Sequence, residues 1–565
     1  MQYGLTVLQF QAFMPQDAGR VRVDSQAQKK KENDRIMKVE TARRPLRKKS
    51  SYPDPVESIA LMIRDCYAPE TSHIAHNQEN GRKQHDVPID SIDTLRRLAI
   101  CSRQLQGLTE PLIYHRLLLR NGRKTEHIVR SLRARPDRAI AIRNLVIACE
   151  TGVPQSFGPS GIAGVLNRAM RLETLYFESP ECNSANFEPH APWTYMFDRI
   201  IRPFQDATAS PGGSLPAPRP LQCLKELTIH MNGASSPYWT IDQRSASIFL
   251  LPALETLKIS CVIIEDSLSG INRAHTSPLK HLELEEVYIT LQGLESVLQL
   301  PTALETLILL ENMHNANQFP IRPSPTWNRL FQNNPGPTMK CIDQQRASLK
   351  SFTYGTTDNP PFDGGGRLAL KDPTPVDGAF ADFPLLEEVC LNVWGECISF
   401  ERAVLSSSPP PNLKKLAYVG SRPFSSKTAS AAEPQEASSP MSQVPFLRAP
   451  ASSLPLGLRT ICMSYSRPPL SSFHSTSLLG RTIKAVDAEL RRIGDIDLEV
   501  TAFEYNRYFP PFLYGEPTPK EIGIFSDSRF QEDFQTYWNE DGDSATESEG
   551  DLDLSYNDVF GSDSD

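Results

Sequence analysis

A short motif, apolar-x-x-apolar-x-apolar, recurs along this chain and constrains its fold more than any other feature. The strong copies start at Leu172, Leu224, Leu254, Leu279 and Leu304. Weaker copies start at Ile142, Leu349, Leu386, Leu413 and Leu458. One copy cannot bury its apolar face alone, so we expect the copies to stack into a solenoid.

The motif is the strand signature of a leucine-rich repeat, and helical patterns precede several copies. The sequence therefore predicts an α/β fold, a leucine-rich-repeat solenoid over residues 126–505 with parallel strands on its concave face. The spacing between copies ranges from 25 to 52 residues, whereas regular families repeat every ~20–29 residues. We therefore expect an irregular arc with loops at about 206–220, 355–380 and 421–455.

The two ends of the chain carry opposite charge, although the net charge is only −8. Residues 1–50 contain 12 Lys/Arg and 5 Asp/Glu, whereas residues 540–565 contain 10 Asp/Glu and neither Lys nor Arg. Such ends predict disordered tails at 1–51 and 539–565, with a C-terminal cap at 506–538 between the repeats and the acidic tail. The basic cluster that ends at Ser50 is either a nuclear import signal or a solvated tail.

Composition favours a soluble protein of the nucleus and/or cytoplasm. The ten cysteines are scattered without a CxxC pair, as in reduced intracellular proteins. No apolar run reaches the ~18 residues of a membrane span, and the first residues lack the features of a signal peptide. We expect no membrane association, and the acidic body disfavours nucleic acid as a partner.

Motifs that carry chemistry are missing from the sequence. It contains no HExxH, no GxSxG, and no GK[ST] after the glycines Gly364 to Gly366. The sequence therefore predicts no catalytic residue, no cofactor and no metal site. We expect a binding protein and not an enzyme.

Residues 52–120 have a helical pattern distinct from the repeats, with an insertion at about 68–91. The first half contains Pro55, Val56, Glu57, Ile59, Met62 and Ile63. The second half contains Leu95, Leu98, Cys101, Ser102, Arg103 and Leu105, followed by EPLIYHRLLL. These residues resemble the two halves of an F-box, and the chain resembles the F-box/leucine-rich-repeat proteins of the divergent fungal type. Asp54, Ser58 and the insertion depart from the F-box pattern.

The resemblance implies a substrate-recognition adaptor subunit of an SCF-type (Skp-cullin-F-box) E3 ubiquitin ligase. The F-box-like module would bind a Skp-family adaptor, which links to cullin, and the repeats would hold a protein substrate. Expected adaptor contacts are Pro55, Ile59, Ile63, Leu95, Leu98 and Leu105. The alternative for these residues is that they pack the core of the module itself. The alternative function is a leucine-rich-repeat scaffold that has lost adaptor binding and acts outside ubiquitination.

Residues between the apolar positions of each strand should point out of the sheet, because strand side chains alternate. The predicted substrate-binding face contains Tyr176, Glu178, Glu226, His230, Lys258, His281, Glu283, Glu285, Ile308 and Leu310. Its four carboxylates suggest either a mildly acidic groove for a basic segment or an ordinary solvated face. Ile308 and Leu310 would form an exposed contact patch, unless the strand offset differs or a loop covers them.

Overall fold

The structure is a computed structural model that divides the chain into two units, Met1–Cys66 and Tyr67–Asp565. Every described residue lies in the second unit. These residues are 89–120, 122–148, 159–179, 193–209, 219–231, 238–268, 274–311, 330–357, 380–394, 409–419, 457–466, 478–503, 513–514 and 521–531. The predicted tails at 1–51 and 539–565, and the predicted loop at 421–455, lie outside the described residues.

Two packed helices open the described region, α1 (Ile89–Cys101) and α2 (Arg103–His115). Ser102 lies between them in extended backbone, and its side chain accepts a 3.1 Å hydrogen bond from the amide of Leu105. This N-cap satisfies one of the amide groups that the first turn of a helix leaves without a partner. Strand β1 (Arg116–Leu119) follows α2 directly.

Further helices and strands follow along the described chain. Their bounds are α3 Gly122–Ala134, α4 Pro136–Ala141, β2 Asn144–Ala148, α5 Pro159–Leu166, β3 Thr174–Glu178, α6 Trp193–Thr208, β4 Glu226–His230, β5 Trp239–Ile241, β6 Thr256–Ile264, β7 His281–Ile289, α7 Leu291–Leu298, β8 Thr306–Glu311, α8 Leu330–Asn333, α9 Pro335–Asp343, β9 Ser351–Thr357, β10 Glu388–Trp394, β11 Lys415–Val419, β12 Thr460–Ser466, α10 Leu478–Gly494, β13 Asp497–Phe503, β14 Glu521–Ser526 and β15 Arg529–Phe530. No described helix is long and apolar enough to cross a bilayer.

All fifteen strands of the described region form one sheet. Neighbours from β1 to β13 pair in parallel, with β5 beside the second half of β6, whereas β14 and β15 are antiparallel. Each of the ten motif copies forms a strand, so the predicted α/β architecture with a parallel sheet is confirmed. The sheet begins earlier than the motif predicts, because β1 pairs with β2. Strand β1 lies in the range that the sequence assigned to the helical module.

The motif folds this way because its apolar positions all reach one face of the sheet. In β3 these are Leu175 and Phe177, each 2% exposed. They join helix residues such as Phe204 and Leu294 in one continuous apolar cluster that includes residues from β1 to β14. Complete burial of such a side chain stabilises the fold by roughly 1.5–3 kcal/mol. The sheet and its helices therefore share a single core.

Residues just before the strands form a ladder of alternating charge, which the motif analysis did not predict. Glu173 pairs with both Arg143, at 2.9 Å, and Lys225, at 3.4 Å. Three further pairs follow along the sheet: Glu255–Lys280, Glu305–Lys350 and Glu387–Lys414. These side chains are about half exposed, so each pair contributes at most about 1 kcal/mol. Their alternation nevertheless favours the observed order and register of neighbouring repeats.

Strands β6 and β7 are longer than their neighbours and bend at the same level. Cys261 and Glu286 adopt left-handed backbone, with φ of 57° and 50°, between the paired positions on either side. Beyond the bend, Val262 to Ile264 pairs with β5. The bend also turns Glu286 inward, where it is 2% exposed and accepts a 3.1 Å hydrogen bond from Tyr238.

Candidate functional site

The side of the sheet opposite the apolar cluster carries three rows of residue positions, which we call the outer face. Parallel pairing in register aligns the same motif position of every strand. The first row is Arg116, Asn144, Thr174, Glu226, Thr256, His281, Thr306, Ser351, Glu388, Lys415, Thr460 and Asp497. The second row is Leu118, Val146, Tyr176, Thr228, Lys258, Glu283, Ile308, Thr353, Cys390, Ala417, Cys462 and Glu499. The third row is Ala148, Glu178, His230, Ser260, Glu285, Leu310, Gly355, Asn392, Val419, Ser464 and Thr501.

All ten residues predicted for the substrate-binding face lie in these rows, and the structure brings most of them into two clusters. The first cluster is on β3 and β4, where the hydroxyl of Tyr176 donates a 2.6 Å hydrogen bond to Glu178. The Tyr176 and His230 rings meet edge to face, with centroids 5.4 Å apart. Glu178 and His230 are buried, at 1% and 6% exposure, so this end of the face is a packed polar site.

His230 is neutral in this cluster. Burial lowers its pKa to about 4, and the nearby charge of Lys258 acts in the same direction, against the opposing effect of Glu283. Its Nδ1 lies 2.5 Å from the hydroxyl of Ser260 on the neighbouring strand. A neutral imidazole can donate or accept there, so His230 orders the polar cluster without adding charge.

The second cluster is on β6 and β7 and contains Lys258, His281, Glu283 and Glu285. Lys258 Nζ lies 2.6 Å from Glu283, and His281 Nε2 lies 3.2 Å from the same oxygen. Burial alone would raise the pKa of Glu283, but the His281 hydrogen bond and the Lys258 charge outweigh it and hold this pKa well below its usual range. Burial, and then the charge of Glu283, raise the pKa of Glu285 well above its usual value. The surroundings therefore favour the ionised form of Glu283 and the protonated form of Glu285.

These interactions reduce the negative charge of the face, for which the sequence left open an acidic groove or an ordinary solvated face. The charge of Glu283 is matched by Lys258, and burial and the charge of Glu283 favour the protonated form of Glu285. Glu178 is 1% exposed and already accepts hydrogen bonds. Glu226 is half-buried on the first row. The carboxylates serve the internal order of the face because burial favours paired or protonated acids over free ones.

Ile308 and Leu310, predicted to form an exposed contact patch unless they are covered, are less exposed than an open patch requires. Ile308 is half-buried, and Leu310 is only 7% exposed. Leu310 lies in the third row between Glu285 on β7 and Gly355 on β9, so both flanks of its strand are occupied. Both residues lie at outward positions of the strand, as the motif predicts. A side chain at an outward position of a central strand can still be buried.

A segment far away in sequence occupies the first cluster. Leu513 and Tyr514 lie between β13 and β14 in the chain, yet the amide of Tyr514 donates a short hydrogen bond to Glu178. The Tyr514 and Tyr176 ring centroids are 5.9 Å apart, and Leu513 is 8% exposed. Sequence reasoning missed this contact, because no local pattern joins positions that are 336 residues apart.

The rows continue as a polar network at the other end of the sheet. Cys462 donates to Glu499 at 2.9 Å, and Thr501 donates to Glu521 at 2.6 Å. Burial raises the pKa of the Cys390 thiol to about 12 and also raises that of Cys462. Nucleophilic cysteines need a lowered thiol pKa, so the chemistry of these two thiols is that of packed, protonated side chains. Among the described residues, no group of three or more His, Cys, Asp or Glu is placed to hold a metal ion.

The predicted adaptor residues fall into two groups. Pro55, Ile59 and Ile63 lie outside the described residues. On α1 and α2, Leu95 is 4% exposed, whereas Leu98 and Leu105 are half-buried. The sequence did not single out Ile100, which is 84% exposed at the end of α1. This isoleucine is the most exposed large apolar side chain of the described region.

Helix α2 is anchored to the first helices of the sheet. Glu110 is 7% exposed and pairs with Arg135, at 2.8 Å, and with Arg138. The hydroxyls of Tyr114 and Ser131 are 2.9 Å apart. Arg138 also lies over the Tyr114 ring, 5.2 Å from its centroid. The second half of the F-box-like module is therefore packed against the repeat body.

Comparison with known proteins adds little to this description. No protein-family model matches the sequence, and no curated protein matches it. Among solved structures, a chain of the crystal structure of the Rad7 and Elc1 complex in yeast aligns at 12% identity. The alignment covers 71% of this chain and 94% of that chain, with a TM-score of 0.23. A superposition this loose carries no argument about fold or function.

Proposed function

We propose that this protein is a non-enzymatic recognition subunit that holds a protein partner on the outer face of its sheet. The finer proposal is a leucine-rich-repeat substrate receptor of an SCF-type E3 ubiquitin ligase. The F-box-like residues, including α1 and α2, would bind a Skp-family adaptor and, through it, cullin. Such a subunit acts by raising the local concentration of the substrate near the ligase and not by bond chemistry of its own.

The observation that carries the proposal is the outer face itself. Three aligned rows of largely polar side chains, with apolar ones among them, stand on a single sheet whose other side is one continuous core. Rigid elements hold such side chains in fixed positions, which is what recognition requires. The face already holds one peptide segment, Leu513–Tyr514.

The exposure of Ile100 supports the adaptor contact. An isoleucine that is 84% exposed at the end of an amphipathic helix has apolar surface available for a partner. Among the described residues of α1 and α2, no other large apolar side chain is as exposed. We further propose that the protein acts in the nucleus and/or cytoplasm, where such ligases assemble.

A second candidate function is a scaffold that has lost its adaptor. One observation favours it: α2 is bound to the repeat body through Glu110, and β1 belongs to the sheet. The second half of the module therefore has a structural role that needs no adaptor. In this case the outer face would still bind a protein partner.

The experiment is capture of a purified Skp-family adaptor by the intact chain. Deleting residues 52–120 would remove β1 and the Glu110 ion pairs, so point variants are the sharper probe. Ile100→Asp places a charge at the exposed position, and Leu385→Asp is the matched control because Leu385 is 44% exposed beyond β9. We expect the intact chain and Leu385→Asp to bind equally, and Ile100→Asp to bind about tenfold more weakly, as loss of an apolar anchor predicts.

Two results would decide against the ligase function or its site. An intact, cooperatively melting chain that captures no adaptor would exclude the ligase function and leave the scaffold. Capture that Ile100→Asp leaves unchanged would remove Ile100 from the contact.

A further inference from the structure

The contact between Leu513–Tyr514 and β3 crosses most of the sheet. Leu513 follows Phe503, the last residue of β13, by ten positions, and Tyr514 precedes β14 by seven. Strand β3 is ten strand positions from β14 in the sheet order. At the usual spacing of ~4.8 Å between neighbouring strands, the distance from β3 to β14 measured along the sheet is about 48 Å.

Chain length limits how far the dipeptide can lie from β14. Seven residues reach at most about 25 Å when fully extended. Tyr514 therefore contacts Glu178 on β3 while lying within that distance of Glu521, the first residue of β14.

The contact has the form in which a receptor holds a peptide. A backbone amide donates to a buried carboxylate, Glu178, and the residue before it in the chain, Leu513, is 8% exposed. An aromatic ring, Tyr514, lies against another, Tyr176. Hydrogen bonds from N–H groups to carboxylates are about twice as strong as neutral ones. Aromatic pairs add roughly 0.5–1.5 kcal/mol beyond the area they bury.

We propose that Tyr176, Glu178 and His230 form a peptide-recognition site that the chain fills with its own Leu513–Tyr514. The partner that this site fits is a protein segment with a leucine followed by an aromatic residue. That segment donates its backbone N–H to Glu178 and displaces the docked dipeptide. The inference rests on the proposed function of the outer face as a recognition surface.

The docked dipeptide acts as an internal competitor. A tethered segment has an effective concentration on the order of millimolar. The apparent affinity of a partner is lowered by the fraction of molecules whose site is open. Release of Leu513–Tyr514 therefore strengthens partner binding.

The test uses the full chain and a labelled peptide of residues 504–520, EYNRYFPPFLYGEPTPK. The opened variant Leu513→Asp/Tyr514→Pro removes the buried leucine and the N–H donor from the chain's own segment. Tyr514→Pro alone is a milder variant that keeps Leu513 and removes the N–H donor together with the aromatic ring. The matched control is Leu385→Asp, an apolar residue changed at the surface away from the site.

We expect the opened variant to bind the peptide at least tenfold more tightly than the wild type, with Tyr514→Pro intermediate and Leu385→Asp unchanged. A peptide with aspartate in place of its leucine should not bind. Adding Glu178→Gln to the opened variant should abolish the gain.

The proposal is overturned if the cooperatively melting Tyr514→Pro chain binds the peptide no more tightly than the wild type. It is equally overturned if the aspartate peptide binds as well as the natural one. Because adaptor capture is measured on different residues, failure of the peptide assay is distinguishable from failure of the ligase function.

Discussion

At the scale of single residues, the outer face shows how burial changes the meaning of an acidic side chain. Glu283 and Glu285 stand two positions apart on one strand, and the sequence gives no reason to treat them differently. Their neighbours do: Lys258 and His281 contact Glu283 and lower its pKa, whereas burial and the charge of Glu283 raise the pKa of Glu285. Glu283 is an ion-pair partner, whereas the surroundings of Glu285 favour its protonated form.

This difference predicts unequal effects of the same substitution. Glu283→Gln leaves Lys258 and His281 without their anion, and we expect it to lower the free energy of unfolding by about 2 kcal/mol, less than the 3–5 of a fully buried pair because Lys258 is partly exposed. The surroundings of Glu285 favour its neutral form, so Glu285→Gln, which places a neutral amide there, should cost under about 1 kcal/mol. Chemical denaturation at pH 7 measures both, and equal losses would contradict the unequal roles of the two carboxyl groups.

At the scale of elements, strands and their order follow from the sequence, while close approaches between elements do not. The motif spacing predicts which residues of each strand enter the core, as Leu175 and Phe177 show. The alternating charges from Arg143 to Lys414 were also visible in the sequence. Their pairing becomes evident only when consecutive strands are placed side by side.

The start of α7 illustrates a close approach. Thr290 caps this helix by accepting a 2.9 Å hydrogen bond from the amide of Gly293. A Cβ added to Gly293 would lie 2.6 Å from the carbonyl oxygen of Ile264 on β6. Backbone cannot yield as the end of a flexible side chain can, so only glycine fits where β6 meets α7.

We therefore expect Gly293→Ala to destabilise the protein by about 1–3 kcal/mol, as overpacking does. The matched control is Gly107→Ala in α2, where nothing lies within 4 Å of the added Cβ. That change should be neutral or stabilising by about 0.5–1 kcal/mol, because alanine loses less entropy than glycine in a helix. Thermal unfolding of the two variants checks the sign, and loss of stability in both would contradict the steric explanation.

At the scale of the whole molecule, each repeat packs only against the adjacent repeats, so the first repeat needs a capping element on its free side. Helix α2 supplies that cover at the N-terminal side, through Glu110 and its two arginines. This explains why the second half of the F-box-like module cannot be separated from the repeats by a simple deletion.

Glu110→Ala should consequently loosen the first strands and leave distant ones unaffected. We expect amide hydrogen exchange in β1 and β2 to become about tenfold faster or more, since removal of one partner leaves Arg138 partly buried and unpaired. Exchange in β7 and β8 should not change. Asp137→Ala is the control, because Asp137 also pairs with Arg135 but is largely exposed. Uniform acceleration along the whole sheet would show that the molecule unfolds as one unit instead.

The sequence by itself determined the parallel sheet, the residues that form its core and the row positions of its outer face. It could do so because a period of two along each strand and a recurring motif are local properties of the chain. Only the tertiary structure decided which outer-face residues are open, which of two neighbouring carboxyl groups is ion-paired, and that Leu513–Tyr514 lies against Glu178. Those outcomes depend on burial and on contacts between residues up to 336 positions apart, and a local pattern contains no information about either.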